Sequence, residues 1–128
     1  MPLDALRQRY LGYLDCLNHQ HWERLGDYVD EHVEHNGRPL GLAGYRAMLE
    51  ADFAAIPDLQ FNAILLIAEP PRLAARLAFD CSPRGEFLGL AVNGRRVSFT
   101  ENVFYTFDGP KIVSVWSVID KRAIEAQL

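Results

Sequence analysis

Leu3, Leu6, Tyr10, Tyr13, Leu14 and Leu17 recur at spacings of three and four, the period of one helical face, while Arg7, Gln8 and Asp15 fall on the others. A helix is therefore expected from Leu3 to Leu17. A shorter one is expected from Gln20 to Asp30 around Trp22, Leu25 and Val29, weakened by Gly26. Asn36-Gly37 marks a turn. Leu42, Tyr45, Leu49 and Phe53 then set out a third helix, Gly41 to Ile56, which Pro57 ends by pushing the residue before it out of the helical region.

After Pro57 the apolar period changes to two. Leu59–Ala68 and Leu73–Cys81 have the pattern of strands, and so do Glu86–Val92 and Arg95–Phe107, which flank the hairpin signal Asn93-Gly94. Asp108-Gly109 turns the chain into a last strand, Lys111–Ile119, and Lys121–Gln127 closes it as a short helix. Pro110 stands at a strand start, one of the few places a sheet tolerates it. Helices followed by a strand meander predict an α+β fold. The sheet is mostly antiparallel, because hairpin-length connections cannot make parallel crossovers. In the last strand Ile112, Trp116 and Val118 share one parity, and Val113, Val115 and Ile119 the other. A sheet apolar on both faces must be covered twice. The helices cover one face, and a second copy of the chain, in a homodimer, is expected on the other.

Composition narrows the partners. The 128 residues suit a single domain spanning 1–128, and 49% hydrophobic residues can build a packed core. Thirteen basic against 17 acidic residues leave a charge of -4, without the electrostatic footprint of a nucleic-acid binder. No apolar run approaches the roughly 18 residues of a membrane span. The start, Met1-Pro2-Leu3-Asp4, lacks a basic stretch followed by an apolar one, so no secretory signal is expected. Cys16 and Cys81 form neither a zinc spacing nor a disulfide scaffold, which suggests a reducing compartment. A cytoplasmic domain that binds a small molecule or a protein is the expectation.

Few residue patterns carry chemistry. In His32-Val33-Glu34-His35 the histidines are three apart, where a helical zinc motif needs four, and His19 and His21 suit solvated surface positions, so no metal site is expected. Asp120 shares its parity with Ile112, Ser114, Trp116 and Val118. It either faces a partly dry cavity, as an acid/base group with a raised pKa, or caps the final helix. Periodicity alone favours the cap. Glu101 falls in a row with Val97, Phe99, Val103, Tyr105 and Phe107. It borders a polar cavity, pairs with an arginine such as Arg76, or is turned to solvent by a bulge. His35 is either a proton carrier or simply the polar end of a segment before a turn.

One run of motifs resembles a known family. Pro57-Asp58-Leu59, Gly85-Glu86-Phe87-Leu88-Gly89, Asn93-Gly94-Arg95, Asp108-Gly109 with Lys111-Ile112, Trp116-x-x-x-Asp120 and Gln127-Leu128 follow in order. From the first helix to the last residue, the chain resembles the SnoaL-like polyketide cyclases of the nuclear-transport-factor-like folds. The resemblance implies a curved antiparallel sheet wrapped around the helices as a cone with an apolar pocket, dimerising through the sheet. It also implies catalysis without metal or organic cofactor. Asp120 would move the proton that lets an enolate close a ring by intramolecular aldol condensation, with Trp116 in the pocket wall. Cyclases of this family set a histidine beside that aspartate. The chain has none after His35, so either His35 or Glu101 takes that part or the part is absent. Tyr13, Leu17 and Phe53 from the helices and Phe99, Trp116 and Val118 from the sheet are expected to line a site for an apolar, carbonyl-bearing molecule. The alternatives are a binding protein using the same pocket without turnover, and an interaction module, which would have a filled interior.

Overall fold

Leu6, Tyr10, Tyr13, Leu14 and Leu17 form the buried side of helix α1, Leu3–Asn18, in a computed structural model that describes residues 1–128. A 3₁₀ turn, Trp22–Asp27, follows, with Leu25 pointing into the core. Strand β1 then runs Val29–His35, helix α2 Gly41–Ala55, strand β2 Asn62–Glu69 and strand β3 Arg72–Cys81. Two short strands, β4 (Glu86–Phe87) and β5 (Leu90–Ala91), precede the long strands β6 (Val97–Asp108) and β7 (Lys111–Ile119), and helix α3, Lys121–Glu125, closes the chain. The main sheet has the order β1-β7-β6-β3-β2. Its inner face and the two long helices enclose one core running from Leu6 to Ile124. The α+β class and the curved, unclosed sheet behind N-terminal helices match the sequence-based expectation.

Three local readings need correction. The expected second helix is a 3₁₀ turn that stops at Asp27, and Val29 already belongs to β1. That strand pairs parallel with β7, so the otherwise antiparallel sheet has one parallel edge. Its sequence, VDEHVEH, carries only Val29 and Val33 as buried residues, too few for a period of two to stand out. The run Glu86–Val92 is not a ladder partner of β6. Leu88 and Gly89 both adopt positive φ and fold it into a hairpin of its own, β4-β5, so that β6 pairs with β3 instead. Asn93-Gly94 is a left-handed turn, as expected, but it closes this flap: the N–H groups of Val92 and Asn93 donate to the Gly85 carbonyl, and that of Gly94 to the Pro83 carbonyl.

The third correction decides which side chains face inward. Thr106 pairs with Ser114, and the next residue of β6, Phe107, pairs with Ile112, so β7 carries one extra residue there. This bulge reverses the parity of β7 along its length. Ile112 and Val115 both point into the core, Ser117 and Ile119 continue the inner row, and Trp116 and Val118 stand on the outer face. By contrast β6 pairs with β3 without a break from Thr106 to Val97, so its inner row of Val97, Phe99, Glu101, Val103 and Tyr105 is continuous.

Candidate functional site

Between the sheet and the helices lies a cavity of about 230 Å³. Helix α1 contributes Tyr13 and Leu17; α2 contributes Tyr45, Met48, Leu49 and Asp52; and β6 contributes Phe99, Glu101, Val103 and Tyr105. Leu77 and Phe79 of β3 and Val115, Ser117 and Ile119 of β7 form the rest of the sheet wall, His35 enters from the end of β1, and Phe87 and Leu88 of the β4-β5 flap also line it. The wall is apolar except for a small set of polar groups, the usual composition of a small-molecule site.

Two of those groups are carboxyls. Glu101 interrupts the apolar inner row of β6, and the unbroken register with β3 leaves it no route to solvent by a bulge. Arg76 does not reach it, because it lies on the outer face beside the Thr100 hydroxyl. Burial pushes the Glu101 carboxyl up to about 7; a hydrogen bond with Ser117 partly offsets this, and the charge of Asp52 adds to it. Asp52 sits on the buried stripe of α2, four residues after Met48 and four before Ile56. Burial alone raises it to about 6. Burial thus brings the proton affinity of both carboxyls close to neutral pH, where a pair in one cavity can share out the roles of acid and base.

His35 and Ser117 meet in the cavity wall beside Glu101. His35 Nε2 lies 3.3 Å from the Ser117 hydroxyl, and the ring stands edge-on to Tyr45. Asn36 locks this corner, its N–H donating to the Val115 carbonyl and its side-chain oxygen accepting from the Ser117 N–H. Both Asn36 and Gly37 have positive φ, and a Cβ at Gly37 would come within 3.3 Å of the Trp116 ring, so glycine suits the tight return of the chain. Burial, with Arg38 nearby, lowers the His35 pKa below its ordinary value, which favours the neutral imidazole.

The structure thus brings together His35, Glu101, Tyr13, Leu17 and Phe99 among the residues expected at the site. Asp120 is elsewhere. It is exposed, its own N–H donates to the Thr100 carbonyl, and its Oδ1 accepts from the Ala123 N–H as the N-cap of α3. Trp116 and Val118 were displaced to the outer face by the bulge in β7, and Phe53 lies one layer behind the wall, packed against Trp22 and Phe61. Asp120→Asn is expected to leave both melting temperature and turnover close to wild type, and Asp120→Ala to cost about 1 kcal/mol of stability through loss of the cap. A thermal melt and an activity assay on each variant check this.

Asp52 and Ser117 were not singled out in the sequence. For Asp52 a signal was present: a lone carboxylate on the apolar stripe Tyr45, Met48, Leu49, Ile56. For Ser117 there was none, since its orientation depends on the bulge.

The SnoaL-like polyketide cyclase family model matches residues 7–128. The chain belongs to the SnoaL-like polyketide cyclase family. A crystal structure of a SnoaL-like polyketide cyclase from Agrobacterium tumefaciens is 61% identical, with a TM-score of 0.95 over 95% of this chain and 96% of that one. TsrD from Streptomyces laurentii has a TM-score of 0.85 at 21% identity, covering 99% of this chain and 96% of that one. AclR from Streptomyces galilaeus has a TM-score of 0.79 at 23% identity, covering 98% and 96%. These last two share the fold. No curated protein matches the sequence. As a SnoaL-like chain it has no helix long and apolar enough to cross a membrane.

Proposed function

We propose that the protein is a cofactor-independent acid/base catalyst of enolisation, acting on an apolar, carbonyl-bearing small molecule in the cyclase or isomerase manner. The observation that carries this reading is the pair Asp52 and Glu101, two carboxyls with raised proton affinity in one apolar cavity. The Asp52 carboxylate takes a proton from the carbon next to the carbonyl. The C–H electron pair moves into a new C=C bond, and the carbonyl oxygen takes the proton of Glu101 to give the enol. In ring closure the enol carbon attacks a second carbonyl of the same molecule and the new C–C bond forms. The enol proton returns to Glu101, and Asp52 gives its proton to the new alkoxide. Both carboxyls end as they began. In an isomerisation Asp52 instead returns the proton to another carbon.

The cavity volume lies below the roughly 300–1,000 Å³ of sites for drug-sized ligands. It suits a substrate of one or two small rings, or the short chain that would form them. The test needs no native substrate. An apolar enolisable ketone such as 2-tetralone should exchange its α-hydrogens with D₂O faster in the presence of the protein, and Asp52→Asn should abolish the acceleration. Equal exchange with wild type and variant would refute the reading. It would favour the second one, a non-catalytic binder, which the predominantly apolar wall also suits.

The homodimer is part of the same proposal. On the outer face Ile67, Ala74, Phe104 and Trp116 are successive register partners across four strands, and three of them are exposed large apolar side chains, with Val118 beside them. Such a band is larger than a solitary surface residue explains. Phe104→Asp is expected to convert a dimer to a monomer in analytical ultracentrifugation. A monomeric wild type at micromolar concentration would contradict the dimer.

A further inference from the structure

Beside the two carboxyls the cavity holds a cluster of phenols that the proton transfers above do not use. Tyr10, Tyr13, Tyr45 and Tyr105 are all buried, and all but Tyr10 line the cavity. The Tyr10 hydroxyl donates to that of Tyr105 at 3.0 Å, and the hydroxyls of Tyr13 and Tyr45 are 2.6 Å apart. The rings brace one another: Tyr105 lies 4.8 Å from Tyr10 and 6.1 Å from Tyr13, centroid to centroid. Ring positions are therefore set by packing before any ligand arrives.

Each pair contains two phenolic hydrogens and one hydrogen bond. In the first pair Tyr10 spends its hydrogen on Tyr105, so the hydrogen left over belongs to Tyr105, the member that lines the cavity. In the second pair either phenol can be the donor, and both line the cavity, so the spare hydrogen belongs to a cavity-lining residue in either case. No protein acceptor takes a hydrogen from Tyr105, and none outside the pair takes one from Tyr13 or Tyr45. A buried donor without an acceptor is costly, and an oxygen brought in by a ligand would remove that cost. Burial holds all four phenols well above their ordinary pKa, so they donate hydrogen bonds and do not ionise.

We propose that Tyr105 and the Tyr13–Tyr45 pair form an oxygen subsite that holds the carbonyl oxygen of the substrate and binds it more strongly as negative charge develops on it during enolisation. This rests on the enolisation reading and names the substrate class more closely: a small ketone or dicarbonyl whose oxygen can reach the phenol cluster while its acidic C–H faces Asp52. Donors fixed in advance in a water-excluded site stabilise developing negative charge on oxygen without reorganising, so the phenols act directly on the reacting oxygen. The enolate-like transition state gains more from them than the ketone, which is the differential binding that catalysis requires.

The test is a binding experiment with 2-naphthol, a stable analogue of the enol of 2-tetralone, against 2-methylnaphthalene, which has the same shape without the hydroxyl. Wild type should prefer 2-naphthol. Tyr105→Phe, and Tyr13→Phe combined with Tyr45→Phe so that neither phenol of the second pair can donate, should each weaken 2-naphthol binding about 3- to 10-fold, the worth of one net hydrogen bond, and leave 2-methylnaphthalene binding unchanged. The triple variant should lose the preference. A downfield phenolic proton resonance should appear on adding 2-naphthol to wild type and be absent with 2-methylnaphthalene. The subsite is overturned if wild type shows no preference, if 2-naphthol fails to bind, or if the variants lose both ligands equally, which would mark the phenols as packing only. Far-ultraviolet circular dichroism of each variant establishes that it is folded. The outcome is separable from the enolisation reading. Persistent hydrogen exchange in Asp52→Asn with the 2-naphthol preference intact would refute the proton transfer and leave the subsite; loss of the preference alone would do the reverse.

Discussion

Glu101→Gln and Asp52→Asn are each expected to slow α-hydrogen exchange by about 10²- to 10⁴-fold, the range that positioned proton transfer supplies. Both changes keep the volume of the side chain and remove only its ability to exchange a proton, so a loss of rate cannot be assigned to a collapsed cavity. Because the two carboxyls would act in one transfer, the double variant should be little slower than the worse single variant. The pH dependence carries the same signature. Exchange should require Asp52 ionised and Glu101 protonated, giving a bell with limbs near 6 and 7, the values to which burial raises the two groups. Glu101→Gln should remove the alkaline limb together with most of the rate. A profile flat from pH 5 to pH 8, read from initial rates by mass spectrometry, would contradict the assignment.

The same burial makes stability depend on pH. Each carboxyl holds its proton more tightly in the folded chain than in the unfolded one, so its favourable contribution is complete below the ordinary carboxyl range. That contribution is lost as pH rises through the folded values near 6 for Asp52 and 7 for Glu101. A displacement of this size corresponds to up to about 3 kcal/mol per group between acid and mildly alkaline solution. Wild type should therefore melt at a lower temperature at pH 8 than at pH 5. Glu101→Gln should flatten that trend and melt above wild type at pH 8, because the amide carries no charge to bury. A variant expected to lose most of its activity is thus expected to gain stability, the trade that a site holding charge in an apolar cavity imposes. Calorimetric melts of both proteins across this pH range measure it, and parallel curves would count against a buried Glu101.

Much of this architecture was legible in the sequence, for identifiable reasons. The helical stripes of α1 and α2 extend over several turns, and a period repeated that often survives local irregularities. The inner row of β6 was equally legible, and Glu101 stood out in it as the one charged member, because the β3–β6 ladder has no bulge to disturb the alternation. The errors have a common origin in irregularity on a short scale. One extra residue in β7 separated Trp116, Val118 and Asp120 from the cavity, and an apolar row such as Ile112, Trp116, Val118 contains no sign of where a bulge will fall. Parallel pairing of β1 with β7 joins segments far apart in the chain, which local periodicity does not report. Asp52 was visible as a carboxylate on an apolar stripe, yet only the inner row of Glu101 opposite it shows why that position matters.

The account depends above all on the protonation of the two cavity carboxyls, and ¹³C NMR of side-chain carboxyls as a function of pH observes it directly. Asp52 and Glu101 resonances, assigned through Asp52→Asn and Glu101→Gln, should titrate with midpoints near 6 and 7. Midpoints below 5 for both would mean two permanently ionised, solvated groups, and the proposed acid/base pair would be wrong.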